Sequence, residues 1–296
     1  MISAYTESLL IIGGINIILS LSFYLPQSAG MISMAQGGFM AIGAFVSAGL
    51  TVKLGVPFYP ALLIGGILAG IVGVIVGFPA LRIKGIYLLL LTLGISEVIR
   101  IFFLNFKYTG GVAGLGGIKL QTNLWNVYLL LAILAYFFQR IASTRMGRAL
   151  SAIREDEEAA EIMGIDLTRT KLQVFGTGAA MAGLAGGFYA HFALYITSDN
   201  FGVAKSIEIL LPVLIGGIEV FWGPILGALI LTFLPEWLRV IQPYRMIVFG
   251  AIVVVMMILR PQGLVDRALV RSISQRFWSA SLRVLSGVKN LCRPSP

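Results

Sequence analysis

Apolar residues run almost without interruption through nine stretches of this chain, at residues 8–25, 31–52, 58–80, 85–104, 124–141, 171–194, 206–218, 222–238 and 244–259. Most approach the ~20 residues that a helix needs to cross ~30 Å of hydrocarbon at ~1.5 Å per residue. A membrane barrel would instead alternate apolar and polar positions along each strand. The pattern therefore predicts an all-α, polytopic transmembrane helical bundle of about 8–9 spans. Two stretches depart from the simple form. Residues 206–218 would make a helix only ~20 Å long and end in Gly216-Gly217, which predicts a re-entrant half-helix. Pro26 and the glycines Gly30, Gly37, Gly38 and Gly43 predict a second span broken near its start. Interrupted helices persist at that depth only when buried in protein or lining a cavity, so both regions are candidates for a path through the membrane.

Composition agrees: 58% of the 296 residues are hydrophobic and only 12% charged, with a mean hydropathy of +0.92. The 35 glycines suit spans that pack closely through small residues, and the run "GTGAAMAGLAGG" from Gly176 reads as such a packing face rather than a nucleotide fingerprint. A single cysteine, Cys292, excludes an internal disulfide framework, and a single histidine, His191, leaves almost nothing for a His/Cys metal cluster. His191 is expected to be a hydrogen-bonded structural residue, and no cofactor is expected. No short basic leader with a cleavage site precedes the first apolar run, which is read as a retained span.

The net charge of +9 acquires meaning from its distribution. If residues 143–170 face the cytoplasm, parity puts the amino terminus outside and the carboxyl terminus inside. The inner side then carries Arg82 and Lys84, six basic residues between Arg140 and Lys171, and seven between Arg260 and Arg293, fifteen of the 22 in all. That asymmetry is a membrane-side signature rather than a nucleic-acid patch. The chain divides into a membrane domain, 1–264, and a basic tail, 265–296, whose segment "DRALVRSISQRFWSASLRVL" is expected to form an amphipathic helix at the membrane surface.

One polar island stands out. "AIREDEEAAEIMGID", residues 152–166, holds six of the thirteen acidic residues. Around it Ala149, Ala152, Ile153, Ala160 and Met163 recur at helical spacing while the acids take the other face, which predicts an amphipathic helix over about 147–164. Ser143 or Thr144 would cap its start, Gly164 would end it, and Asp166 or Thr168 would cap the next span. A connecting loop needs no such order, so the helix suggests a surface for a partner; a solvated face with none is the alternative. Within the apolar stretches, Glu97 and Arg100 lie three residues apart and would each be costly alone in hydrocarbon, so they are expected to pair with each other or a neighbouring helix and fix packing, with direct substrate contact on the path as the alternative. Glu208 could line the path or tie the half-helix to an arginine such as Arg100. The loop "TGGVAGLGGIKLQ" from Thr109 lacks the strand-to-helix context of a phosphate cradle and reads as a flexible outer loop.

Glu158-Ala159-Ala160, followed after three residues by Gly164, resembles the EAA-x3-G cytoplasmic loop of ABC-importer permeases. The longer strings "GRALSAIREDEEAAEIMGID", "TLGISEVIR", "TGGVAGLGGI", "AGLAGGFYAHF", "SIEILLPVLIGGIEVFWGPILGA" and "YRMIVFGAIVVVMMILRPQGL" resemble the LivM-type permeases of the branched-chain amino acid importer family. One departure is that Val174-Phe175-Gly176-Thr177 stands where the wider loop ends in Ile-x-Leu-Pro. The resemblance implies a bacterial or archaeal plasma (inner) membrane importer in which this permease joins a second, LivH-like permease, two cytoplasmic ABC ATPase subunits and an extracytoplasmic substrate-binding protein. It also implies that Arg154, Glu155, Asp156, Glu158, Ala159, Ala160 and Gly164 belong to an ATPase-coupling helix. The residues agree independently that ATP is bound elsewhere, since the chain has no Gly-Lys dipeptide and so no P-loop. A stand-alone secondary transporter of small amino acids or amides is the alternative. A membrane enzyme lacks a constellation of nucleophile, base or metal groups.

Overall fold

The computed structural model describes residues 4–83, 85–238, 244–260 and 263–264. The basic tail and Cys292 lie outside the described residues. Eleven α-helices follow in order among them: α1 (Ala4–Gln27), α2 (Gln36–Lys53), α3 (Phe58–Ala80), α4 (Ile86–Asn105), α5 (Leu124–Ser143), α6 (Arg145–Glu155), α7 (Glu157–Ile162), α8 (Leu167–Ala193), α9 (Val203–Gly216), α10 (Trp222–Trp237) and α11 (Arg245–Leu259). Among the described residues there is no strand, only an antiparallel bridge between Leu115 and Ile196. Four helices, α1, α3, α4 and α5, are long and apolar enough to cross a membrane by length and composition.

Helices α3 and α4 are amphipathic in reverse, whereas α1 and α2 bury large residues such as Ile18, Leu21, Phe39 and Phe45. On α3 the large residues Leu63, Ile67, Ile71 and Ile75 are exposed, whereas Ala61, Gly65, Ala69, Gly73 and Gly77 are buried. On α4, Thr92 and Ser96 are buried while Val98, Ile101 and Phe102 point out. Lipid tails are as apolar as leucine, so burying large side chains gains little there, and contact is made where small residues let backbones approach. Helix α8 packs on α1, α2 and α3 at the centre in this way. A Cβ at Gly43 of α2 would lie 1.9 Å from the Gly183 carbonyl oxygen, and one at Gly186 would lie 2.0 Å from that of Met40. The run from Gly176 is thus a packing face.

The break expected near the start of the second span is present: residues 31–34 are not helical, and α2 begins at Gln36. Met31, Ser33, Met34 and Ala35 are nonetheless buried. Buried backbone outside a helix needs side-chain partners, and the Met34 N–H donates to Thr92 Oγ1 at 2.9 Å. Helix α9, at 14 residues, is the short helix predicted at residues 206–218. The glycine-rich loop, expected to be flexible, is held in place. Leu115 and Ile196 exchange main-chain hydrogen bonds of 2.9 and 3.1 Å, Tyr195 Oη donates to the Ala113 carbonyl at 2.6 Å, and Thr122 Oγ1 donates to that of Phe188 at 2.8 Å.

His191 is fully buried. Its Nδ1 lies 2.9 Å from the Gly187 carbonyl and its Nε2 3.0 Å from Thr51 Oγ1, both within the packing of α2 on α8.

Candidate functional site

The charged island is not one helix but two. Asp156 is extended, at φ −155 and ψ 112, and its carboxylate accepts the N–H groups of Glu158 at 2.9 Å and Ala159 at 3.1 Å. An aspartate that bonds the backbone just ahead of it offers an alternative to continuing the helix, so α6 stops and the short α7 starts, with Glu157 and Glu158 in its first turn. At the start of α6, Thr144 occupies the capping position without making the cap bond; its hydroxyl donates to the Ile141 carbonyl at 2.8 Å instead. Gly164 has φ +82, the left-handed conformation that glycine adopts without strain, and Asp166 caps α8 by accepting the Arg169 N–H at 2.9 Å.

This break redistributes the residues that a single amphipathic helix would place together. Glu155, Asp156, Glu158 and Ala159 are exposed. Ala160 turns inward at 3% exposure, while Met163, expected on the same buried face, is 82% exposed beside Ile162 at 86%. Arg154 does not project with the acids: its Nη1 donates to the Ile218 carbonyl at 3.1 Å, in the turn between α9 and α10. A Cβ at Gly30 would lie 3.6 Å from the Arg154 Cα, so α6 also rests against the broken start of the second span. An open cavity of about 530 Å³ between α6 and α7 is lined by Arg145, Arg148, Glu155, Ala159 and Met163 among others. The ion pair between Lys171 of α8 and Glu157 of α7, at 2.6 Å, was not anticipated from sequence. The usable signal was a lysine opening an apolar span just after an acidic run.

Glu97 and Arg100 do pair, Nε to Oε2 at 2.7 Å. The structure adds two members: Arg100 Nη1 meets Asp199 Oδ1 at 2.8 Å, and Glu97 Oε1 accepts the Val203 N–H, the first of α9, at 3.0 Å. The pair therefore fastens the start of α9. Glu208 is tied elsewhere. Its partner is Lys205, Nζ to Oε2 at 3.0 Å, and not Arg100. Both residues line a cavity of about 420 Å³ between α1, α9 and α10, where Asn16 Nδ2 also donates to Thr232 Oγ1 at 3.2 Å. Among the described residues no group of three His, Cys, Asp or Glu side chains could hold a metal ion.

The family described as "Branched-chain amino acid transport system / permease component" matches residues 5–257. The chain is 34% identical over 299 aligned residues to the high-affinity branched-chain amino acid transport system permease protein LivM of Escherichia coli, covering 89% of this chain and 69% of that protein. It is 25% identical to the fructose import permease protein FruG of Bifidobacterium longum over 83% of this chain and 81% of that one. To LivH of Escherichia coli it is 29% identical over 52% of this chain and 50% of the relative. No solved structure matches.

Proposed function

Because this chain belongs to the branched-chain amino acid transport permease family, we propose that it is the membrane-spanning subunit of an ATP-driven importer of leucine, isoleucine and valine. It works without chemistry of its own. A second, LivH-like permease completes the path, two cytoplasmic ATPases drive it, and an extracytoplasmic binding protein delivers the substrate. The likeness to a fructose import permease makes the aliphatic cargo a matter of site chemistry rather than of fold.

The observation that carries this reading is the connection made by α6. On its outer side, with α7, it presents acids and the exposed Ile162 and Met163, an apolar knob in a charged rim of the kind that docks a protein partner. On its inner side Arg154 holds the turn of the α9–α10 hairpin. Movement of the ATPases against α6 and α7 reaches α9 through that hydrogen bond, and reaches α8 through Glu157 and Lys171. Ala159 lets the partner approach, Glu155 and Glu158 set its register, and Gly164 lets the chain leave α7. Ala160 serves inward packing.

The basic residues of this end support a cytoplasmic α6 and α7, with the amino terminus outside and the carboxyl terminus inside. Termini on opposite sides require an odd number of crossings, which α1–α5, α8 and the three shorter helices α9, α10 and α11 supply as nine. Glu208 is 60% exposed on the side chain at mid-depth of an apolar helix. A charge there is too costly to face lipid, so it faces the path or the second permease.

The test is reconstitution of the importer in liposomes. Glu158→Lys combined with Ala159→Trp should weaken subunit association or separate ATP hydrolysis from uptake while membrane insertion is kept. Uptake and substrate-stimulated ATPase activity both unchanged would make this surface a solvated loop. Uptake that persists on ATP depletion with the ion gradient preserved would place the chain among secondary transporters.

A further inference from the structure

The cavity between α1, α9 and α10 has an uncommon polar inventory for an apolar lining. Lys205 and Glu208 stand one turn apart on α9, at 3.0 Å, with Lys205 only 16% exposed. Two prolines, Pro212 of α9 and Pro235 of α10, also line it. Proline has no N–H to give, so Pro212 leaves the main-chain carbonyl of Glu208 without its donor four residues on, and Pro235 does the same to Leu231. Glu208 and Leu231 line the same cavity. One wall therefore gathers a carboxylate and two carbonyls that lack their helical partners, and the adjoining turn offers an ammonium. Leu19, Ile207 and Leu211 are apolar neighbours, and a volume of about 420 Å³ falls in the ~300–1,000 Å³ range of small-ligand sites.

We propose that this cavity receives an aliphatic α-amino acid as its zwitterion during transport, the Lys205 ammonium taking the ligand carboxylate and Glu208, with the carbonyls of Glu208 and Leu231, taking the ligand ammonium. The side chain then lies among Leu19, Ile207 and Leu211. The assignment rests on the importer reading and deepens it. The ligand enters by replacing one ion pair with two, so neither protein charge is left uncompensated in a low dielectric. A ligand with one charge alone cannot do this: an amine leaves Lys205 facing a cation, and a carboxylate leaves Glu208 facing an anion.

The experiment uses the full importer in liposomes, with Cys292→Ser and Ile207→Cys in this chain, and follows the rate at which the introduced thiol reacts with a small methanethiosulfonate reagent. L-leucine at millimolar concentration should slow the reaction. 3-Methylbutylamine and 4-methylpentanoate, which each lack one of its charges, should protect about tenfold less well, the factor carried by one charge-assisted hydrogen bond. Glu208→Gln or Lys205→Gln should abolish protection, and Lys205→Arg, which keeps the cation, should retain it. Equal protection by the amine would make this a simple cation site. No protection by leucine, with leucine uptake intact, would put the path elsewhere. Both overturn the assignment. Failure of the unsubstituted importer to take up leucine at all would instead overturn the proposed cargo, independently of the alkylation result.

Discussion

Glu97 joins two elements through one carboxylate, so its removal has a calculable consequence. Oε2 holds Arg100 at 2.7 Å and Oε1 holds the first N–H of α9 at 3.0 Å. Hydrogen bonds to charged groups contribute ~1.5–3 kcal/mol each, and side chains about a quarter exposed belong toward the lower end. Glu97→Ala should therefore destabilise the chain by ~2–4 kcal/mol. Glu97→Gln should cost ~1–2 kcal/mol, since the amide oxygen still accepts the Val203 N–H while the ion pair is lost. Arg100→Gln should cost a similar ~1–2 kcal/mol, because its second partner, Asp199, is 79% exposed and exposed pairs contribute ~0–1 kcal/mol. The double change Glu97→Gln with Arg100→Gln should cost ~1–2 kcal/mol less than the two singles together, as the only charge then left without its partner is the exposed, solvated Asp199. The assay is SDS-induced unfolding of the purified permease pair in mixed micelles, followed by tryptophan fluorescence, together with uptake per complex. Additivity within ~0.3–0.5 kcal/mol would refute the coupling. A cost for Asp199→Asn as large as that for Glu97→Ala would show that the network is anchored in the turn preceding α9 and not on α4.

Cys292 should resist a membrane-impermeant thiol reagent in intact cells and react after permeabilisation; labelling from outside would reverse the topology. Arg154→Gln should leave ATPase activity in the liposome assay within about twofold while lowering uptake about tenfold, the loss expected from one charge-assisted hydrogen bond, with Arg154→Lys recovering part of it. Equal losses in both activities would make Arg154 a folding residue only. Gly43→Ala should abolish accumulation of folded chain, since its Cβ would lie 1.9 Å from the Gly183 carbonyl oxygen, whereas Gly49→Ala on the same helix, with nothing within 4 Å, should be tolerated; normal accumulation of the former would show that α2 and α8 are not in close contact.

The apolar periodicity determined the all-helical membrane fold, because in hydrocarbon each backbone polar group must be satisfied within its own segment and a helix is the local way to do so. Broken spans were legible from their glycines: Gly30 at φ +76 and Gly217 at φ +101 adopt a backbone conformation that glycine takes without strain, whereas Pro26 is carried inside the last turn of α1. So was the Glu97–Arg100 pair, which depends only on spacing three apart along one helix. The partner of Glu208 was legible by the same rule, since Lys205 lies three residues before it on α9, and the expectation of Arg100 passed over that local cation. By contrast, an amphipathic pattern runs through Asp156, yet that side chain caps the following helix instead of extending the preceding one. The resulting change of direction turns Ala160 inward and Met163 outward. The inward reach of Arg154 to Ile218, 64 residues away, and the meeting of Pro212 with Pro235 in one cavity are contacts between elements that approach only through packing. Sequence periodicity reports which face of a helix is apolar; which neighbour meets that face is set by the small-residue contacts that assemble the bundle.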